Sequence, residues 1–288
     1  MADLLSGLGQ FGLGNLESMD LYEEPKKEDS GEGEAGKKVH VVQEQDYLFD
    51  KSNKCPVCDK EFKAKTVRGG KVKLNGTDLD LRPKYEQVEM LKYDVLMCPH
   101  CGYTALSRFF KFVTAAQVKN IKEKISASFK PKEETGETYS YEEARERYKL
   151  ALVNAIVKQA KPSEKAYICL KSAWLLRSMG EHLDTSDPEY ENKKKAIDEE
   201  ENEYLNKALE GFLSARQTED FPMCGMDENT VDYLIAVTAM RFEQYDVSNR
   251  LLSGIIVSPT ANPRTKDKAR DVKEMLVKKV KEKNAAKK

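Results

Sequence analysis

The chain has 288 residues, 34% of them charged, and a formal net charge of −1. This balance excludes a histone-like protein that is basic throughout, and the length favours about two domains. No run reaches the roughly 18 apolar residues that a transmembrane helix needs, and acidic Asp3 stands where a secretory signal would carry basic residues. The sequence therefore predicts a cytoplasmic protein with no membrane contact.

Residues 1–44 are rich in glycine and then in acidic side chains. Such a segment cannot bury enough apolar surface to offset the entropy lost on ordering, so a disordered tail is predicted. An alternative stays open for residues 16–22 (LESMDLY), which have the character of a short motif that folds onto a partner. At the other end of the chain, residues 285–288 are predicted to form a basic tail end.

Residues 45–110 show the period-two alternation of β-strands. Apolar and basic side chains alternate over residues 62–67, and they alternate again over residues 71–74 after the Gly69-Gly70 pair. This pattern predicts a β-hairpin that turns at the two glycines. Together with a short strand over residues 93–97, it indicates a small β domain.

Two CxxC pairs lie in this β domain. A CxxC turn presents two soft thiolates, and four thiolates suit a tetrahedral Zn²⁺ ion whose coordination shell is then closed. The sequence therefore predicts a structural zinc site, with an iron–sulfur cluster on the same ligands as the alternative. His100 lies inside the second pair and is expected at the surface or beside the ligands. The predicted ligands are Cys55, Cys58, Cys98 and Cys101.

The β domain is also basic. Lys63, Lys65, Lys71 and Lys73 alternate with apolar residues and would share one face of the predicted hairpin. A solvated outer face is the favoured interpretation, and a nucleic-acid footprint is the alternative. The region lacks the run of exposed aromatic residues on which bases would stack.

Residues 111–284 have a helical pattern with several start signals, and no strand signal of weight occurs after residue 110. A capping box begins one helix, Gly180 is expected to end the next at its C′ position, and Asn-Pro or Asp-Pro pairs open others. The predicted starts are Ser140, Pro162, Asp187-Pro188, Asp227, Asp246 and Asn262-Pro263.

Two segments of the helical region, residues 166–216 and 228–262, follow the tetratricopeptide pattern of a helix pair that repeats about every 34 residues. The concave face of such an array, lined by the first helices, holds partner segments. Two arginines and a tryptophan are predicted on this face, and their guanidinium and indole groups favour the binding of an acidic or C-terminal peptide. The alternative is that each arginine pairs with a local acid, such as Glu181 or Glu243, and binds nothing. The predicted inward-facing residues are Trp174, Arg177, Val237 and Arg241.

Five stretches together resemble one bacterial family. They are CPVCDKEF at 55–62, LRPKY at 81–85, YDVLMCPHCGYTA at 93–105, YKLALVNA at 148–155 and AYICLKSAWLLRSMGE at 166–181. The chain is similar over residues 45–280 to the family catalogued as domain of unknown function 2225, found mainly in Firmicutes. The resemblance implies a cytoplasmic protein with a zinc-ribbon-like first part and a tetratricopeptide-like second part. It implies no activity, and it assigns only the four cysteines as presumed ligands.

The predicted fold class is α+β, with a zinc-ribbon-like β domain at 45–110 followed by an all-α tetratricopeptide-like domain at 111–284. The sequence contains three histidines, none of which is paired with a nucleophile and an acid, and it has no phosphate-binding glycine loop. A non-enzymatic zinc-binding adaptor is therefore expected, with an unidentified protein or peptide as its partner. The alternative function is a nucleic-acid-associated regulator that uses the basic ribbon or the basic C-terminal helix.

Overall fold

The computed structural model describes residues 43–131 and 136–285, so most of the predicted tail and residues 286–288 lie outside it. Within these ranges the strands come first and form three two-stranded antiparallel sheets. The pairs are β1 Leu48–Lys54 with β2 Glu61–Val67, β3 Leu74–Thr77 with β4 Pro83–Tyr85, and β5 Val95–Met97 with β6 Thr104–Leu106.

The predicted hairpin at Gly69-Gly70 is wrong. The segment over 62–67 is a strand, but it pairs with the preceding β1, in a register that runs from Leu48 opposite Val67 to Lys54 opposite Glu61. Sequence periodicity missed β1 because only its first residue is buried, so its burial does not alternate. Residues Gly69–Lys71 form a 3₁₀ turn. Lys71 and Lys73 therefore lie outside the sheet that carries Lys63 and Lys65.

Seven α-helices follow the strands in the described ranges. Their bounds are α1 Ala115–Ile121, α2 Tyr141–Val157, α3 Pro162–Glu181, α4 Tyr190–Thr218, α5 Glu228–Arg241, α6 Tyr245–Val257 and α7 Pro263–Ala285. α1 continues into a π-helical turn, Lys122–Ser126. No described helix is both long enough and apolar enough to cross a membrane.

The capping signals read from the sequence are confirmed at three helices. The hydroxyl of Ser140 accepts a hydrogen bond from the Glu143 amide at 3.2 Å, which begins α2. At the start of α5, the Asp227 carboxylate accepts a hydrogen bond from the Thr230 amide at 2.8 Å. At the start of α7, the side-chain oxygen of Asn262 accepts one from the Thr265 amide, also at 2.8 Å. Such caps satisfy amides that the first helical turn leaves without partners. The predicted stop at Gly180 is wrong, because α3 includes this residue and ends at Glu181.

The helices pack mainly on their chain neighbours: α2 on α3, α3 on α4, α5 on α6 and α6 on α7. α3 and α4 approach closely at Gly211, where a Cβ atom would lie 2.8 Å from that of Ala166. The largest apolar core also includes Leu91, Val95 and Leu106 from the strand region. The β5–β6 hairpin therefore shares the largest core with the helices, whereas the buried residues of β1 and β2 belong to two smaller clusters. The tetratricopeptide arrangement of the helices stays a prediction.

Candidate metal centre and helical groove

The turn between β1 and β2 carries the first two cysteines. The amide of Cys55 donates to the carbonyl of Lys60 at 3.0 Å, and the amide of Asp59 donates to the carbonyl of Cys55 at 2.9 Å. Asp59 adopts a left-handed conformation with φ of 61°. The amide of Val57 points at the Cys55 sulfur, 3.4 Å away, so the turn directs a backbone donor at a thiolate.

The turn between β5 and β6 repeats this arrangement. The amide of Cys98 donates to the carbonyl of Tyr103 at 2.8 Å, and the amide of Gly102 donates back to Cys98 at 3.0 Å. Gly102 is left-handed, with φ of 74°. It corresponds to Asp59, since each of the two follows the first cysteine of its pair by four residues.

The four predicted ligands converge. The sulfur atoms of Cys55, Cys58, Cys98 and Cys101 all lie within 4.8 Å of one another, and two pairs, Cys55–Cys101 and Cys58–Cys98, are 3.6 Å apart. A metal–sulfur distance of about 2.3 Å in a tetrahedron requires sulfur–sulfur separations of about 3.8 Å. Three of the cysteines are buried and Cys58 is half-buried. The donor set and its spacing therefore fit a tetrahedral, thiolate-binding metal ion.

The close approach of the four sulfurs shifts the pKa values of the Cys98 and Cys101 thiols in opposite directions. The pKa of Cys98 is well below its ordinary value, because the thiols of Cys101 and Cys55 hydrogen-bond to its sulfur. The pKa of Cys101 is raised by its contacts with Cys55 and Cys98 and by burial. Four neighbouring thiolates repel one another, and a divalent cation at their centre removes this repulsion.

Aromatic and amide side chains connect the second cysteine turn to the first helices. Tyr103 is fully buried and donates to the Phe110 carbonyl at 3.1 Å. The side-chain amide of Asn154 in α2 donates to the carbonyl of Gly102 at 3.2 Å. His100 lies at the surface, with its Nε2 3.2 Å from the carbonyl of Glu61 in β2. The histidine thus bridges the two cysteine hairpins without belonging to the four-sulfur cluster.

The structure brings the four predicted partner-binding residues to one region of the helices. Trp174 and Val237 are buried. Arg177 in α3 and Arg241 in α5 both donate to the same carboxylate oxygen of Glu201 in α4, at 2.9 and 2.8 Å. We call this region between α3, α4 and α5 the helical groove. The binding of a partner there stays a prediction.

An acidic segment of the same chain lies against the helical groove. It is the loop over residues 78–82, between β3 and β4. Both oxygens of Asp80 accept from Arg177, at 2.9 and 2.7 Å, and one of them also accepts from Trp174 Nε1 at 3.0 Å. Asp78 accepts from Arg177 as well, at 3.1 Å. Arg177 therefore binds acids of its own chain, from this distant loop and from α4.

The loop also contributes a buried cation. Arg82 is 1% exposed; its Nε donates to Asp78 at 2.6 Å, and its Nη2 donates to both oxygens of Glu181, at 2.6 and 2.8 Å. Lys84 contacts Asp78 at 2.9 Å. Burial alone would raise the pKa of Asp78, but hydrogen bonds from Lys84 and Arg82 hold it below its ordinary value. Four acids and four bases balance in this charge cluster, which comprises Asp78, Asp80, Arg82, Lys84, Arg177, Glu181, Glu201 and Arg241.

Sequence reasoning missed the loop because its partners lie almost a hundred residues away. Asp80 and Arg177 are 97 residues apart in the chain, and no local pattern pairs them. The sequence Asp-Leu-Asp-Leu-Arg over 78–82 alternates polar residues with leucines, a pattern that favours burial of the leucines. The structure instead buries Asp80 and Arg82 and leaves Leu79 exposed, so this pattern gave no usable signal.

Comparison with known proteins assigns the chain to one family. The model of a family described as uncharacterized protein conserved in bacteria (DUF2225) matches residues 48–276, which include all four cysteines, the 78–82 loop and the helical groove. The chain belongs to this family, and the resemblance seen in the sequence is confirmed. No curated protein and no solved structure matches the chain.

Proposed function

We propose that this member of the DUF2225 family is a non-enzymatic adaptor: a structural zinc ion secures its strand hairpins, and its helices bind a partner protein or peptide. The observation that carries the proposal is the helical groove, in which Arg177 and Trp174 together bind the carboxylate of Asp80. Guanidinium groups bind carboxylates in bidentate geometry, and helical arrays bind partners on their concave faces, so the Asp80 contact is an internal example of how this region would hold an acidic group.

Zinc is the metal that best suits the centre. Four thiolate ligands at tetrahedral spacing leave no open position for a substrate, as in structural rather than catalytic zinc sites. Soft sulfur ligands also favour Zn²⁺ over Mg²⁺ or Ca²⁺. A cytoplasmic location belongs to the same proposal, because a reducing compartment keeps cysteines available to a metal.

A second candidate function rests on a cleft beside the metal centre. Lys63 and Lys65 of β2, His100 of the second cysteine turn and Arg147 of α2 line a cavity of about 510 Å³, together with one acid, Asp50. This excess of basic groups favours nucleic-acid binding, whose affinity would fall steeply with salt because bound cations are released from phosphates.

Affinity capture from the native cell separates the two functions. The tagged full chain is incubated with lysate treated or not treated with nuclease, and the retained proteins are identified by mass spectrometry. The adaptor proposal expects one protein that is retained after nuclease treatment and binds again when both components are purified. Loss of every retained protein on nuclease treatment would favour the second candidate, and the absence of any retained protein in both arms would contradict the adaptor function.

A further inference from the structure

A small cavity adjoins the 78–82 loop where the helical groove opens to solvent. Its volume is about 260 Å³. Four apolar side chains form much of its wall, and it is also lined by three cationic side chains, Arg177, Arg241 and Lys279, and by the carboxylate of Asp80. Leu79 is 40% exposed, so the cavity is accessible from outside. The apolar lining residues are Leu79, Leu205, Val237 and Met240.

The cations of this cavity differ in how far their charge is already compensated. Arg177 is held by Asp80 and Glu201. Arg241 uses its Nη1 on Glu201 and its Nε on Asn202, and its Nη2 forms no hydrogen bond with a described residue. Lys279 is exposed and forms no ion pair within the described ranges. The charges of Arg177, Arg241 and Asp80 are thus compensated within the chain, so the cavity offers a ligand its apolar wall, the ammonium group of Lys279 and the Nη2 donor of Arg241.

We propose that this cavity binds the C-terminal residue of a partner polypeptide, with an aliphatic side chain against the apolar wall and the α-carboxylate against Arg241 and Lys279. The proposal rests on the adaptor function above and specifies the part of the partner that is recognised. A terminal residue carries its side chain and its carboxylate on the same Cα atom, which suits a small cavity whose apolar and cationic groups lie side by side.

An internal acidic residue suits the cavity less well. The carboxylate of Asp or Glu ends the side chain, so reaching the cations would leave the apolar wall without a contact. The carboxylate of Asp80, which also lines the cavity, is the contrasting case, since it is surrounded by the donors of Arg177 and Trp174. Recognition of a free carboxylate beside an apolar side chain is one of the recurring ways in which domains bind peptide ends.

Peptide binding to the full chain tests the proposal directly. The probes are fluorescein-labelled Gly-Gly-Ser-Ala-Leu with a free carboxylate, the same peptide as its C-terminal amide, and the same peptide ending in Ser. Fluorescence anisotropy should show binding of the Leu acid, with Kd at least about tenfold higher for the amide and for the Ser peptide. No binding of the Leu acid up to about 1 mM, or equal binding of the amide, would overturn the proposal.

Two pairs of variants locate the binding. Lys279→Glu should raise the Kd of the Leu acid about tenfold or more, whereas Lys278→Glu, the same change at an exposed neighbour on α7, should not. Leu79→Ser should weaken binding, whereas Leu74→Ser, at an exposed leucine of β3 outside the cavity, should not. Equal effects within either pair would show that the peptide binds elsewhere.

The same variants distinguish this inference from the adaptor function. If a protein captured from lysate is retained equally by wild type, Lys279→Glu and Leu79→Ser, the adaptor function stands and the C-terminal recognition is wrong. If the wild-type chain captures no protein but binds the Leu acid at this cavity, the inference stands and the adaptor function is wrong.

Discussion

Arg177 donates to both carboxylate oxygens of Asp80, from Nη1 at 2.9 Å and from Nη2 at 2.7 Å. This bidentate pair fastens the β3–β4 loop to α3. Asp80 is 6% exposed, so its charge is largely removed from water and depends on these two donors and on Trp174 Nε1. Burial acts to lower the pKa of Arg177, but its hydrogen bonds to Asp80 raise the pKa above the ordinary value of the guanidinium.

The first prediction concerns this pair. Asp80→Asn keeps the size of the side chain but removes the charge that Arg177 contacts, while Arg177 retains Asp78 and Glu201. We expect the free energy of unfolding to fall by about 2 kcal/mol, the usual loss for a hydrogen-bonded charged group. Urea unfolding of wild type and variant measures this loss of free energy. Asp50→Asn, at an exposed residue of β1, is the control and should stay within about 0.5 kcal/mol of wild type; equal losses would contradict the prediction.

The second prediction contrasts the equivalent positions of the two cysteine turns. At Gly102, φ is 74° and a Cβ atom would lie 2.5 Å from the Phe129 ring. Gly102→Ala should therefore cost about 2 to 4 kcal/mol, from left-handed strain together with the overlap. At Asp59, where a side chain is already accommodated at φ of 61°, the change to Gly should alter stability by less than about 1 kcal/mol. Unfolding in excess zinc measures the stability of both variants, and similar losses would contradict the strain and overlap expected at Gly102.

Local signals in the sequence predicted the parts of the fold that local chemistry determines. Ser140 with Glu143, Asp227 and Asn262 each satisfy an amide within three residues, so their helix starts could be read directly. The CxxC pairs were equally clear, because a metal site imposes both the residue type and the spacing.

Long-range pairing could not be predicted in the same way. Only one residue of β1 is buried, so its hydrophobic pattern predicted neither a strand nor the pairing with β2. The glycines at 69 and 70 indicated a turn, and the chain does turn there, but no rule identified the strand on the other side. The placement of Asp80 against Trp174 and Arg177 depends on the packing of the whole helical region on the 78–82 loop.

The third prediction concerns the pH dependence of a cysteine outside the metal centre. Burial raises the pKa of the half-buried Cys224 thiol to about 11, from an ordinary value of 9.0. Only the thiolate reacts with iodoacetamide. At pH 8 the thiolate fraction, and hence the rate, should be about 100-fold below that of an ordinary thiol of equal access.

Mass spectrometry of the peptide that contains Cys224 measures this rate on the folded, metal-loaded chain. Because the pKa is raised, the rate should still climb about tenfold per pH unit between pH 8 and 9.5, where an ordinary thiol already levels off. The urea-unfolded chain is the control and should show the earlier plateau. A folded-state rate that levels off near pH 9 would contradict the predicted shift.

The fourth prediction concerns the metal itself. About one zinc ion per chain should co-purify, and Cys98→Ser should abolish it because one of four ligands is lost. Cys224→Ser is the matched control, since this cysteine lies outside the four-sulfur cluster, and it should retain the metal. Elemental analysis of the three proteins measures the content. Iron in place of zinc, or equal loss in both variants, would contradict the assignment.

The fifth prediction concerns the effect of metal removal on the helices. Asn154 of α2 donates to the carbonyl of Gly102 in the second cysteine turn, so loosening this turn should release part of α2. Chelation should therefore increase amide hydrogen exchange in the two cysteine hairpins and in the part of α2 around Asn154. α6 packs on α5 and α7 and should keep its protection, which makes it the internal control. Exchange that rises equally in α2 and α6 would indicate global unfolding, and unchanged exchange in α2 would show that the metal centre does not support this helix.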